Sequence, residues 1–404
     1  MKWTKVVLGD ACSKIGSGAT PKGGSTVYID EGTSLIRSQN VYNLRFSYDG
    51  LAHITDDAAQ KLNGVTIEEQ DVLINITGDS VARTCVVPKD VLPARVNQHV
   101  AIIRPKKQFF NPRFLNYYFA SPYMQAYMLG LAVGKGASRN AMTKDMIAGF
   151  KIPCPPVDIQ EEIVGKLSAY DDLIDNNRLQ IKLLEEAAQR LYKEWFVDLR
   201  FPGHEDIETV DGVPSGWEKQ KVLELSSVLR RGISPTYNDE GKYTVINQKC
   251  IRSSIMNLDE ARRQEKEYPD EINLRDADTV ICSTGTGTLG RVGQVCGDYP
   301  ETTIDSHVTL VRAKRYANLL YHSIKAKQEY LMGMGRGSTN QQELYRNVIE
   351  ETEVLWPTLE IAVQFEKIAQ SIHRKITVLN KIVASSIEAR DRLLPKLMSG
   401  EIEL

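Results

Sequence analysis

Cysteine is scarce and scattered: the six thiols, Cys12, Cys85, Cys154, Cys250, Cys282 and Cys296, form no Cys-x-x-Cys pair. None stands near a histidine at zinc-ligand spacing, so reduced, buried thiols are expected and no metal centre. Long apolar runs are missing, so no segment is expected to cross a bilayer. The N-terminus, MKWTKVVLGDACSK, soon turns polar and lacks the apolar core of a signal peptide, which makes the cytoplasm the expected compartment. A dominant charge is also absent. Lys and Arg number 50 against 52 Asp and Glu, net −2, which on its face argues against a nucleic-acid partner. The charge is uneven, however: residues 1–150 carry 17 basic and 12 acidic side chains, and residues 202–356 carry 19 and 24. A DNA footprint in the second stretch would have to be a local patch with its acids facing away. Catalytic motifs are missing too. GSGATPKGG from Gly16 and GTGTLGRVG from Gly285 do not fit a phosphate loop, and NPRF from Asn111 fails the Asn/Asp-Pro-Pro-Tyr/Phe pattern of aminomethyltransferases. No nuclease acid–lysine set is visible, so this chain is not expected to catalyse a reaction.

What is present begins with two apolar seams. Ile159, Ile163, Leu167, Tyr170, Ile174, Ile181, Leu184, Ala188, Leu191 and Trp195 are spaced for one helical face, with Asn177 as a polar step. Roughly forty residues at about 1.5 Å each make a rod of roughly 60 Å, too long to be stable alone. The pattern recurs over Ile361, Phe365, Ile368, Ile372, Ile376, Leu379, Val383, Ile387, Leu394 and Leu397. Each rod follows a proline-bearing segment, and Pro155 and Pro357 are 202 positions apart.

The stretches before the rods repeat as well. DVLINITGDSVARTCVV from Asp71 matches DTVICSTGTGTLGRVGQV from Asp278, with Asp, Thr77/Thr284 and Gly78/Gly285 all 207 apart. Arg83 matches Arg291, and VNQHVAIIRP with His99 matches IDSHVTLVRA with His307, at 208. Each copy reads as strand, polar turn, strand. GKGASRN from Gly134 and GRGSTNQ from Gly335 are basic, glycine-bearing loops. The chain is one unit written twice: head, rod, head, rod. Two seamed rods in one chain pack most simply as an antiparallel pair, which puts the heads at opposite ends of a spacer about a pseudo-twofold axis. The fold class is α+β, two mixed α/β domains separated by two long helices in an antiparallel coiled coil. The expected division is 1–155, 156–201, 202–356 and 357–404.

Two unlike heads at fixed spacing suit a two-part site on duplex DNA, whose backbones are themselves twofold related. Arg reads guanine, Asn and Gln read adenine, and Ser, Thr, Lys and backbone amides hold phosphates. The candidates in head one are Arg37, Gln39, Asn40, Asn75, Arg83, Lys135, Ser138, Arg139 and Asn140. In head two they are Arg231, Asn247, Gln248, Lys249, Arg291, Arg336, Ser338, Thr339, Asn340 and Gln341. Solvated turn residues are the plain alternative for any one of them. His99 and His307 lie within strand patterns, where a satisfied structural role is expected. Asp71 and Asp278, just before apolar strands, are expected to cap or turn.

The rod end LYKEWFVDLRFPGHE from Leu191, VPSGWE from Val213 and the closing LLPKLMSGEIEL from Leu393, together with the repeat, resemble the specificity subunits of type I restriction–modification systems. The resemblance spans the whole chain. It departs at the second rod start, PTLEIAVQFEKI, where the usual Glu-Gln pair is not adjacent. It implies that each head is a target recognition domain, that the rods are spacers, and that the subunit is non-catalytic. It implies as partners double-stranded DNA, two modification subunits, which hold S-adenosylmethionine and methylate adenine, and restriction subunits that use ATP and Mg. No cofactor is implied for this chain. The outer faces of the rods would dock the modification subunits, with Trp195, Phe196 and Phe201 as candidate contacts or, equally, as packing at the rod–head junction. Two alternatives stay open: a specificity subunit of a related type II system with a bipartite site, and a scaffold that does not bind DNA.

Overall fold

A computed structural model of the chain describes residues 3–133, 141–252, 254–258, 260–285, 287–337 and 342–402. The chain divides into two compact units: Met1–Ile174 with Ala384–Leu404, and Asp175–Val383.

Unit 1 is built on a four-stranded antiparallel sheet in the order Cys12–Ser17, Val100–Pro105, Val72–Asn75, Thr84–Val86. A second sheet runs Ala52–Ile54, Thr33–Ile36, Ala94–Val96, its last two strands parallel. Unit 2 repeats both. Its four-stranded sheet is Ser226–Arg231, Val308–Ala313, Thr279–Cys282, Val292–Gln294, and its three-stranded sheet is Arg262–Gln264, Tyr243–Ile246, Thr302–Ile304, again with a parallel pair at the end. The edge pairings recur also, Lys5–Val7 with Lys151–Pro153 and Glu218–Lys221 with Glu353–Trp356. Val72–Asn75 and Thr279–Cys282 are buried on both faces, because each sheet has apolar clusters on either side. In unit 1 one cluster includes Phe110, Phe114 and Phe119 from the helix Pro112–Ala120 and the turn before it. Asn111 caps that helix by accepting from Arg113 N, and Pro112 fills its first turn.

Asp71 and Asp278 have the turn-building role their sequence position suggests. Each side chain is buried and takes a two-pronged bond from an arginine on the neighbouring strand. Arg104 donates through Nε and Nη2 at 2.7 and 2.8 Å, and Arg312 does so at 2.8 and 2.7 Å. Each also accepts a backbone N–H three residues upstream, from Glu68 at 2.7 Å and Arg275 at 2.8 Å. The residue before each, Gln70 and Ala277, has positive φ, 69° and 65°. The two copies therefore share a backbone bend as well as a side-chain pair.

The first long helix spans Val157–Tyr192 and closes in a π turn, Lys193–Val197; the second spans Leu359–Ser399 with Pro395 in its last turns. Within unit 1, Ile163, Val164 and Leu167 share a cluster with Leu394, Leu397 and Met398, and Asp171 pairs with Arg390 at 2.8 Å. Within unit 2, Ile181 meets Ile376 and Leu379, and Tyr192 meets Phe365 at 6.0 Å between ring centres. In each unit a later residue of one helix meets an earlier residue of the other, so the helix segments run antiparallel. The seam departs from the sequence pattern at Ile368, which is 40% exposed, while Ala369 and His373 are buried. The small Ala369 lets the aromatic group around Phe365 fill that level.

Candidate nucleic-acid interface

In unit 1 the strand Thr33–Ile36 leads into a single 3₁₀ turn, Ser38–Asn40, which carries the first candidates. Arg37 is half-buried beneath the turn, with its guanidinium 5.3 Å from the Tyr28 ring centre, and Gln39 is exposed. Asn40 is placed differently from expectation. It is fully buried, its Oδ1 accepts Arg37 N at 3.0 Å, and its Nδ2 donates to Ser47 O at 2.9 Å. Asn75 is likewise fully buried and donates to Ser38 O at 2.9 Å. These two amides brace the turn from below, so they lie beneath the surface on which the sequence reading set them. Asn in a loop and Asn under a loop leave the same mark in a sequence.

Arg83 is half-buried, with its guanidinium 4.7 Å from the Tyr42 ring centre. Its backbone carbonyl accepts Asn75 N at 2.9 Å, which sets Arg83 beside the braced turn. Arg37 and Gln39 are brought together, both donating to Gly50 O. The unit 2 copy has the same backbone. The turn Gln248–Cys250 follows the strand Tyr243–Ile246, and Arg291 O accepts Cys282 N at 2.9 Å. Lys249 is exposed and Gln248 half-buried. Asn247 is 9% exposed, caps its own turn through Lys249 N at 2.7 Å and donates to Glu260 O at 3.0 Å, so it also departs from the expected base-reading role. Arg231 is ion-paired with Glu343, and Arg336 is exposed on a segment whose backbone pairs with Glu343 at 3.0 and 2.9 Å. Lys135, Ser138, Arg139, Asn140, Ser338, Thr339, Asn340 and Gln341 lie outside the described residues.

One repeated pair was not among the interface candidates. Thr77 Oγ1 and His99 Nδ1 are 2.6 Å apart, and Thr284 Oγ1 and His307 Nδ1 are also 2.6 Å apart. The His backbone N–H is held by the side chain two residues earlier, Asn97 at 3.1 Å and Asp305 at 2.9 Å. Thr77 and Thr284 form isolated backbone bridges to Ala141 and Glu343, the segments that follow the two basic loops in the sequence. Gly18 and Gly232 each pass so near the His-bearing turn that a side chain there would strike the carbonyls of Val96 and Asn97, or Ile304 and Asp305. The sequence signal was the recurrence of both histidines at one spacing.

Trp195, Phe196 and Phe201, candidate partner contacts or, equally, junction packing, are 8%, 5% and 2% exposed. They pack with Trp217 and Phe365 in an aromatic cluster of unit 2, Phe201 to Trp217 at 4.7 Å and Phe196 to Phe365 at 5.0 Å. The rings are packed in the chain's own core, as the junction-packing alternative expects. Among the described residues no group of three or more His, Cys, Asp or Glu is arranged to hold a metal ion, and no helix is long and apolar enough to cross a membrane. All six cysteines are free; burial pushes Cys12 up to about 12 and Cys250 up to about 11. Those thiols stay protonated and poorly nucleophilic at neutral pH.

Residues 1–186 match the family model of the type I restriction modification DNA specificity domain. The MjaIX type I restriction enzyme specificity subunit of Methanocaldococcus jannaschii is 24% identical over 412 residues, covering 97% of this chain and 91% of its own length. The HindI specificity subunit of Haemophilus influenzae is 24% identical over 443 residues, covering 91% and 94%. The crystal structure of a type I restriction–modification S subunit from M. genitalium shares the fold, with a TM-score of 0.55 at 16% identity over 98% of this chain and 96% of that one. With a doubled α+β head, antiparallel helix segments in each unit and relatives that match along nearly the full length, the chain is similar to type I restriction–modification specificity subunits, and its first 186 residues match their DNA specificity domain.

Proposed function

We propose that the chain is the non-catalytic DNA-recognition subunit of a type I restriction–modification complex, and that each head reads one half of a bipartite, asymmetric site in duplex DNA. One observation carries this reading: the two heads share a frame but not a reading surface. Arg37, Ser38, Gln39 and Asn40 occupy the turn that Asn247, Gln248, Lys249 and Cys250 occupy in the second copy. Equal frames with unequal turn side chains suit two different half-sites. Direct base contacts then fall to Arg37, Gln39, Gln248, Lys249 and Arg336 and to the basic loops with Lys135, Ser138, Arg139, Asn140, Ser338, Thr339, Asn340 and Gln341. Arg83, Arg231 and Arg291 hold the backbone beside them.

The working division is 1–155 and 202–356 as target recognition domains, with 156–201 and 357–404 as the spacer that fixes the gap. Two modification subunits dock on the outer helix faces, where Leu179 and Leu183 of the first helix and Val378 of the second are 55%, 53% and 51% exposed. They supply S-adenosylmethionine and methyl transfer to adenine; restriction subunits supply the ATP- and Mg-dependent steps. The complex acts in the cytoplasm. Per-base methylation mapping in the host tests the reading: it should return one split, asymmetric motif that disappears when this chain is deleted. A compact motif, or methylation that survives the deletion, refutes it.

A further inference from the structure

We propose that the pairs Thr77–His99 and Thr284–His307 are a matched set of phosphate clamps, one per head, in which the imidazole Nε2 edge donates to a phosphodiester oxygen of the DNA. The inference rests on the DNA-recognition reading above and adds contacts to it. Three observations lead to it. The threonine–imidazole geometry is the same in both heads, 2.6 Å at Nδ1. The rings are not buried, unlike His322 and His373, which are 7% and 3% exposed in the core of unit 2; His99 is half-buried and His307 exposed. And the pair sits at the base of the segments that carry the basic loops.

A purely internal role needs only the Nδ1 bond, which pins the turn. The pinned ring then holds its other nitrogen in a fixed direction. Among the described residues Nε2 of His307 has no hydrogen-bond partner, and Nε2 of His99 lies 3.0 Å from the amide nitrogen of the exposed Gln98, which must turn aside for the ring to donate to a phosphate. The constancy of the pair identifies its ligand class. The turn side chains around it differ between the heads: Gln39 faces Lys249 in the repeat, Asn40 faces Cys250, and Asn75 faces Cys282. A group kept identical in two heads that read different sequences should touch what the two half-sites have in common, and that is the sugar–phosphate backbone. Gly18 and Gly232 support the same construction, since only glycine lets the neighbouring strand end pack so tightly behind each His turn.

The test uses the chain assembled with its modification subunits and duplexes bearing the intact site, a site altered in one half, and unrelated sequence. His99→Asn and His307→Asn keep a hydrogen-bonding atom at the δ position, so the turn stays pinned while the Nε2 edge is lost. Each should weaken binding to all three duplexes by about tenfold to a hundredfold, the worth of one hydrogen bond to a charged group. The ratio of specific to unrelated binding should not change. His99→Gln and His307→Gln, which return an amide to the ε position, should stay within about threefold of the unaltered complex; they are the deciding variants if an Asn form does not fold. A changed specificity ratio would make the histidines base readers and overturn the proposal. Unchanged affinity in the Asn forms, or a Gln form as weak as Asn, would reduce the pair to a turn brace and overturn it equally. If the unaltered complex shows no preference among the duplexes, the recognition reading itself fails, which is a separate outcome.

Discussion

Asp278 shows how much of a head hangs on single side chains. Its carboxylate is 2% exposed and binds Arg312, itself 13% exposed, through two oxygens. Removing one partner of such a pair leaves the other buried and uncompensated, a loss of about 3–5 kcal/mol. Asp278→Ala should lower the stability of unit 2 in urea unfolding by that amount, and Asp71→Ala should lower that of unit 1 by less, because Arg104 keeps its ion pair with Glu68. Glu185 gives a pH signature. Burial pushes its carboxyl up to about 7, partly offset by Lys325. A group raised above its unfolded value favours folding fully below that value, near 4.5, and the contribution is lost as pH rises through 7. Glu185→Gln should therefore leave the unfolding temperature at pH 5 nearly unchanged and raise it by a few degrees at pH 8. Burial acts oppositely on His322, pushed down to about 3, so unit 2 should also lose stability as pH falls below 6.5. Equal melting curves for the Glu185→Gln variant and the parent at both pH values would contradict the assignment. At this scale the sequence was partly legible. The aspartates before each apolar strand could be placed as turn builders because an acid at a strand entry, repeated, has few other uses. The amides could not be sorted: Asn40, Asn75 and Asn247 carry the donors and acceptors that reading adenine requires, and only the structure shows that they are buried with their side chains bonded to the turns they support.

At the scale of elements the long helices were the most legible part, since a seam repeated over ten positions has one simple explanation. The exceptions have local causes. Ile368 fits the spacing yet faces outward, and His373 enters the seam because Asp276 at 2.8 Å and Gln294 at 3.1 Å satisfy both ring nitrogens. Trp195 and Phe196 fall in a π turn rather than on a regular helical face, which rotates their rings into the cluster around Phe365. If the helices act as a spacer, their length is a functional variable. Inserting four residues, about one turn, into the first helix should change the gap tolerated between half-sites and leave the half-sites as they were. Methylation mapping of the altered strain reads both quantities, and an altered half-site would contradict independent heads.

At the scale of the molecule, the repeat was readable because it is written in the frame: strand order, parallel pair and buried Asp–Arg bond recur even where side chains differ. The proposed DNA-contacting side chains are less readable, because the turns that carry them are where the copies diverge. Both the opening and closing segments of the chain belong to unit 1. Joining residue 404 to residue 1 and reopening the chain near Asp206 should therefore give a folded, active protein. Circular dichroism and site methylation by the permuted chain check this, and loss of folding would count against the arrangement.

The division of the chain also orders its synthesis. Asp175–Val383 is one uninterrupted stretch, whereas the core of unit 1 still lacks Leu394, Leu397 and Met398 when that stretch has emerged. The head translated first is thus the last to be sealed, and until then its apolar floor is open to chaperones and proteases.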